Sequence, residues 1–133
     1  MVQYLKEEAK RLRVHVKVAK LAISLRGFYS PAKNTIYVNR SLTQDQRREA
    51  LAHELAHCFY GHDCTSEFNE RQADHRAALL LIDPDLYRQA ALLNPHPNFV
   101  AIELGVTSHI VQVWQEHWLP QLAAKRREFE DVA

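Results

Sequence analysis

The chain has 133 residues, 47% hydrophobic and 25% charged, which suits one compact fold able to bury a core without staples. Seventeen Lys/Arg against sixteen Asp/Glu leave a formal charge of +1, so nothing suggests a bulk polyanion binder. Eight histidines and a single methionine, Met1, are the unusual counts, and histidine is both the commonest metal ligand and the side chain that titrates near neutrality.

Leu5, Ala9 and Leu12 recur at helical spacing among charged residues and predict an amphipathic helix over residues 2–12. Val14, Val16 and Val18 then alternate with His15 and Lys17, a strand pattern that leaves His15 on the solvent side. Leu25–Tyr29 and Thr35–Asn39 flank the turn residues Ser30, Pro31 and Asn34 and predict a hairpin. From Ser41 onward the pattern is helical. Thr43 with Gln46 three positions later forms a capping-box signal, and Gly61 is a natural stop for the helix that follows. A second helix is expected over 66–82, capped by Ser66 or Thr65 and ended by Asp83-Pro84. Shorter helices are expected over 84–93, 97–104, 107–118 and 121–130. Charge is unevenly spread: residues 1–48 hold eleven Lys/Arg and three Asp/Glu, the remainder six and thirteen. The simplest account of the early excess is a solvated basic face on the first elements.

Cys58 and Cys64 are too few for a disulfide scaffold, the N-terminal stretch lacks the apolar core of a signal peptide, and no run approaches the roughly 18 apolar residues of a membrane span. The expectation is a cytoplasmic protein with reduced thiols and no membrane contact. Cys58 is expected as a buried thiol and Cys64 as a loop thiol.

His53-Glu54-Leu55-Ala56-His57 is an H-E-x-x-H sequence inside a segment that reads as helix on independent grounds. Residues four apart share a helical face, so both imidazoles can reach one zinc ion, with Glu54 placed to act as general base on a water that the ion activates. Leu51, Leu55 and Phe59 supply a separate apolar stripe, so neither histidine is needed for the core. A catalytic zinc normally takes three protein ligands. Asp63 lies six residues after His57, as in metzincins, but Tyr60 stands where that arrangement has glycine, and Met1 cannot supply its methionine turn. Glu70 and Asp74 instead share a face of the next helix, so one can bind metal while the other accepts a hydrogen bond from a ligand histidine. The pattern from Asn69 to Asp74 resembles the third-ligand motif of gluzincins, which makes Glu70 the ligand and Asp74 its supporting carboxylate. His62 is an alternative metal ligand at an awkward reach. Tyr29, Tyr60, His62 and His75 are candidates to steady an oxyanion, and the sequence does not rank them.

Taken together, the GFY…TIYVN hairpin, the RREALAHELAH helix and the ERQADHRAALLLI helix resemble the ImmA/IrrE family of small metallopeptidases over residues 5–119. The resemblance implies a Zn2+ site of His53, His57 and Glu70, with Glu54 as catalytic base. It also implies a site-specific endopeptidase acting on a protein substrate, a repressor or antitoxin-like regulator.

The expected fold class is α+β: a small antiparallel sheet packed on the HExxH helix and the glutamate helix, then a helical C-terminal piece. Residues 1–94 are expected to form the metallopeptidase lobe and 95–133 a helical extension packed as one unit with it. Asn98–Trp114 resembles a helix-turn-helix, with Ala101, Gly105, Val106, Val111 and Trp114 at the small, turn and core positions. A DNA reader would present Thr107, Ser108, His109, Gln112 and Gln115, yet that face has no Lys or Arg, so packing onto the lobe is favoured over DNA binding. Trp114 and Trp118 form an apolar stripe of the same unit. The competing functional readings are a DNA-associated regulator and a non-catalytic interaction subunit, each with a structural metal.

Overall fold

The computed structural model describes residues 2–62 and 66–132. Helix α1 (Val2–Leu12) turns Leu5 and Ala9 into the core. Its buried Glu8 binds Arg11 at 2.6 Å and Arg76 at 3.2 Å. Strands β1 (His15–Ala19), β2 (Gly27–Ser30) and β3 (Thr35–Asn39) form a sheet in the order β1-β3-β2.

The expected hairpin is present, with β2 antiparallel to β3 and Phe28 opposite Tyr37. The sheet is nevertheless mixed, because β1 joins the other edge of β3 in parallel, His15 opposite Thr35. Residues 20–26 make that crossing. The buried Asn39 amide holds them by donating to the carbonyls of Ala22 (3.2 Å) and Leu25 (2.7 Å). Only the central strand is sealed: Ile36 and Val38 are buried, whereas Val16 and Val18 on the outer strand remain exposed. Alternation thus marks β1 as a strand without giving it a buried face.

Helix α2 (Gln44–Tyr60) starts in the full capping box of Thr43 and Gln46 and ends at Gly61, whose φ of 67° is left-handed. Helix α3 (Glu67–Leu81) is capped by the Ser66 side chain. The two run antiparallel as the most extensive helix pair of the fold, and both bury mainly small residues: Ala50, Ala52 and Ala56 on α2, and Ala73, Ala77 and Ala78 on α3. Leu55 is fully buried, but Phe59 lies half-exposed under the Arg76 guanidinium, 3.4 Å from its ring centre, so the expected apolar stripe ends one turn early.

Helices α4 (Pro84–Leu93) and α5 (Pro97–Leu104) fall on the expected bounds, whereas α6 (Ser108–Val113) starts one residue after the expected 107 and ends as a regular α-helix five residues before the expected 118. Gly105, with φ of 68°, makes the α5–α6 corner, and Ala101, Val106, Val111 and Trp114 are buried around it. The expected break between the last two helices does not occur. A π turn over Trp114–Trp118 joins α6 directly to α7 (Leu119–Val132). Proline clashes with the carbonyl four residues back in a regular helix. Here the turn before Pro120 is widened, with the Leu119 N–H donating to the Trp114 carbonyl, so the helix continues through it.

Glu49, buried on α2, ties this C-terminal piece down. It accepts hydrogen bonds from Arg26 (2.9 Å), from the Thr107 hydroxyl and from His109 (3.3 Å). Arg48 beside it donates to the Gly105 carbonyl at 3.0 Å. Burial alone would raise the Glu49 pKa, but the bonds from His109 and Thr107 outweigh it and hold the carboxyl below its ordinary range. The Glu49 hydrogen bond in turn raises the His109 pKa. Gln115 donates to the Tyr87 hydroxyl (3.0 Å) and the Pro95 carbonyl (2.8 Å). Three of the five side chains of the would-be DNA-reading face are therefore bonded within the chain. One continuous core cluster runs from Leu5 to Trp114. Among the described residues no helix is long and apolar enough to cross a membrane.

Two stability measurements follow from this packing. Ala73→Leu should overpack the α2–α3 contact and cost about 1–3 kcal/mol in urea unfolding; an unchanged midpoint would show that the helices do not meet there. Glu49, with its pKa lowered, stabilises above its unfolded value and loses that effect as pH falls. His109, with its pKa raised, stabilises fully below its ordinary 6.5 and loses that effect as pH rises through the folded value. The stability difference between the wild type and His109→Gln should accordingly be largest between the two ordinary values, 4.5 and 6.5, and shrink in alkaline solution. His109 is half-exposed, so the difference should stay under about 1 kcal/mol.

Candidate metal centre

His53 and His57 sit one turn apart on α2, with ring centres 4.7 Å apart in an edge-to-face arrangement. Their Nε2 atoms lie 3.1 Å from each other. Glu70 on α3 reaches across to both: Oε2 is 2.8 Å from His53 Nε2 and Oε1 is 3.1 Å from His57 Nε2. One donor atom from each of these three residues lies within 4.8 Å of the others. Asp74, one turn beyond Glu70, places Oδ1 2.8 Å from His53 Nδ1. That bond takes the far nitrogen of His53 and leaves Nε2 to face the cluster.

The donor set suits a divalent cation. Two imidazoles and a carboxylate are the ligands of an open zinc site, and bond lengths of about 2.0–2.1 Å put neighbouring tetrahedral donors about 3.3 Å apart, close to the separations seen here. Electrostatics agree. Burial alone would lower the His53 pKa, but the Asp74 and then Glu70 carboxylates outweigh it and hold the imidazole up to about 9. A metal entering the cluster must displace the proton that these carboxylates attract. His57, by contrast, is lowered by burial and then by the charge of His53.

Glu54 follows His53 and lines the same cleft, a space of about 720 Å³ between α2, α3 and the β2–β3 hairpin. Burial pushes its carboxyl up to about 7, the Glu70 charge adding to burial and the His53 charge opposing both. A cation held by the three ligands would draw this value down. Cys58, half-buried in the same cleft, is pushed up to about 11 by burial and then by Glu54, so it stays a thiol. Asp63, Cys64 and Thr65 lie outside the described residues.

The four oxyanion candidates separate in space. Tyr29 lines the cleft and donates to Asn34 at 2.8 Å. His62 also lines it but lies behind His57, Nδ1 to Nδ1 at 2.9 Å, and so is not placed as an alternative ligand. Tyr60 stacks on His62 at 5.3 Å. His75 stacks on His117 at 3.6 Å, away from the cleft. His109, which the sequence offers only as part of a DNA-reading face, instead shares a smaller recess with Arg26, Glu49, His53, Glu54 and Asp74. It comes from α6, 56 positions beyond His53 in the numbering, and no local pattern announces that approach.

No protein of curated function matches this sequence. Among solved structures, a Mycobacterium tuberculosis transcriptional regulator superposes with a TM-score of 0.66 at 19% identity, over 84% of this chain and 39% of that one. The chain thus spans well under half of the regulator, and the likeness is one of fold. The metallopeptidase zymogen of Pyrococcus abyssi abylysin aligns over 61% of this chain and 89% of its own at 23% identity, with a TM-score of 0.40. The family model of the IrrE N-terminal-like domain, Peptidase_M78, matches residues 8–113. That span takes in the sheet, both helices of the ligand cluster and the docked α5–α6 corner, so the chain belongs to the Peptidase_M78 family.

Proposed function

We propose that this protein is a zinc-dependent, site-specific endopeptidase whose substrate is a regulatory protein of repressor or antitoxin type. The observation that carries the reading is the convergence of His53, His57 and Glu70 beside an unliganded Glu54 in an open cleft. A purely structural site has no use for such a glutamate. Family membership supports hydrolysis of a peptide bond, and the fold shared with a transcriptional regulator supports a regulatory setting.

Bound at the cluster, zinc would supply Lewis-acid activation of water and of the scissile carbonyl. Glu54 accepts the proton of the attacking water and returns it to the departing amine, a role that suits a carboxylate lining the cleft beside the cluster and ionised once a cation has drawn its pKa down. Asp74 orients His53 throughout. A DNA-reading role for α5–α6 would require Thr107, His109 and Gln115 to leave their partners on the lobe, so the C-terminal helices serve to complete the peptidase fold.

Purified protein should bind close to one equivalent of zinc, and Glu70→Ala should reduce this to trace. A wild-type protein that takes up less than about half an equivalent on reconstitution would count against the site. Asp74→Asn should weaken zinc binding about 10–100-fold, read by chelator competition. Glu54→Gln should keep the metal yet lose about 10²–10⁴-fold in cleavage rate. The readout is loss of a full-length repressor on co-expression, and loss that persists with Glu54→Gln would overturn the mechanism.

A further inference from the structure

Metal ligation through Nε2 leaves His57 with a second ring nitrogen to satisfy. His57 Nδ1 lies 2.9 Å from Nδ1 of His62, and His62 Nε2 lies 2.9 Å from Oε1 of Gln72 on α3. The backbone holds this relay in place. Past the left-handed Gly61, the His62 N–H donates to the His57 carbonyl at 3.0 Å, and the Tyr60 ring stacks on the His62 imidazole.

Between neutral rings, the relay from Gln72 to His57 Nδ1 has two consistent proton arrangements. With the Gln72 oxygen facing it, His62 carries its proton on Nε2, and a neutral imidazole then has a bare Nδ1. That nitrogen accepts from His57 Nδ1–H, so His57 keeps its lone pair on Nε2, where His53 Nε2 at 3.1 Å can donate to it and where the Glu70 carboxylate, 3.1 Å away, would by itself draw the proton instead. If the amide presented its NH2 group instead, every bond would reverse and His57 would aim an N–H at the cluster. The first arrangement is the one that permits ligation, and it matches the amide orientation seen here.

We infer that Gln72, acting through His62, is a positioning residue that fixes His57 in the tautomer able to bind the metal. This rests on the metal site proposed above, and it assigns Gln72 and His62 to His57 the part that Asp74 plays for His53. The two supports differ in kind. A carboxylate can only accept, so Asp74 sets its histidine whichever oxygen it presents, whereas the amide acts through the one orientation that turns Oε1 to His62.

Nitrogen-15 NMR of the imidazoles in the metal-free protein, in mildly alkaline solution, distinguishes the tautomers without any turnover. Wild type should show His57 protonated on Nδ1. Gln72→Met and His62→Phe should give a mixture and weaken zinc binding about 10–100-fold in chelator competition. Gln72→Glu, an obligate acceptor, should restore both the tautomer and the affinity, which a merely space-filling role for Gln72 would not require. A wild-type His57 protonated on Nε2, or an unchanged tautomer in Gln72→Met, overturns the inference. Tight zinc binding of equal strength in every variant overturns the relay while leaving the metal site standing; absence of zinc binding in the wild type overturns both.

Discussion

Every donor atom of the His53–His57–Glu70 cluster is carried by α2 or α3, so the distance between those two helix axes decides whether the cluster exists. Packed helices lie 8–10 Å apart depending on the side chains between them, and here both helices bury small residues, Ala52 and Ala56 on α2 and Ala73 and Ala77 on α3. Small residues bring the helices close enough for Glu70 to touch two histidines and Asp74 a third nitrogen. The ends of the helices set the register. The capping box at Thr43, the left-handed Gly61 and the Ser66 cap fix where each helix begins or stops, and so which residues face each other.

The same closeness makes the two histidines unlike. His53 stands between two carboxylates and is raised, whereas His57 is buried against a charged neighbour and is lowered. Like charges this close do not both ionise readily, so protons on the pair belong to the cluster as a whole. Glu54 feels the opposing sign from each side: Glu70 raises it and His53 lowers it. A bound cation would change all of these balances together and so couple metal occupancy to the protonation of Glu54.

Much of this arrangement was legible in the sequence because helices carry their geometry in their spacing. His53 with His57, and Glu70 with Asp74, are four apart, and the caps bounding both helices are local signals. What stayed hidden depends on long-range placement. The parallel pairing of β1 turns on a crossing held by Asn39, the part of His62 on a turn that folds it back against His57, and the continuous α6–α7 rod on a π turn that accommodates Pro120. Glu49 reads locally as one more charged position on a helix, and only the docking of α6 shows why a carboxylate is buried there.

The Glu49 tie also separates the molecule by loop length. His53 meets Asp74 across 21 positions of chain, whereas Glu49 meets Thr107 across 58. Closing the longer loop costs about 0.9 kcal/mol more in chain entropy. The α2–α3 hairpin is therefore a local structure, with its cross-links drawn from one short stretch, and the C-terminal helices are a remote clasp. Contacts of short sequence separation close at a lower cost in chain entropy, so the hairpin can hold its cross-links without waiting on the long loop that the clasp must close.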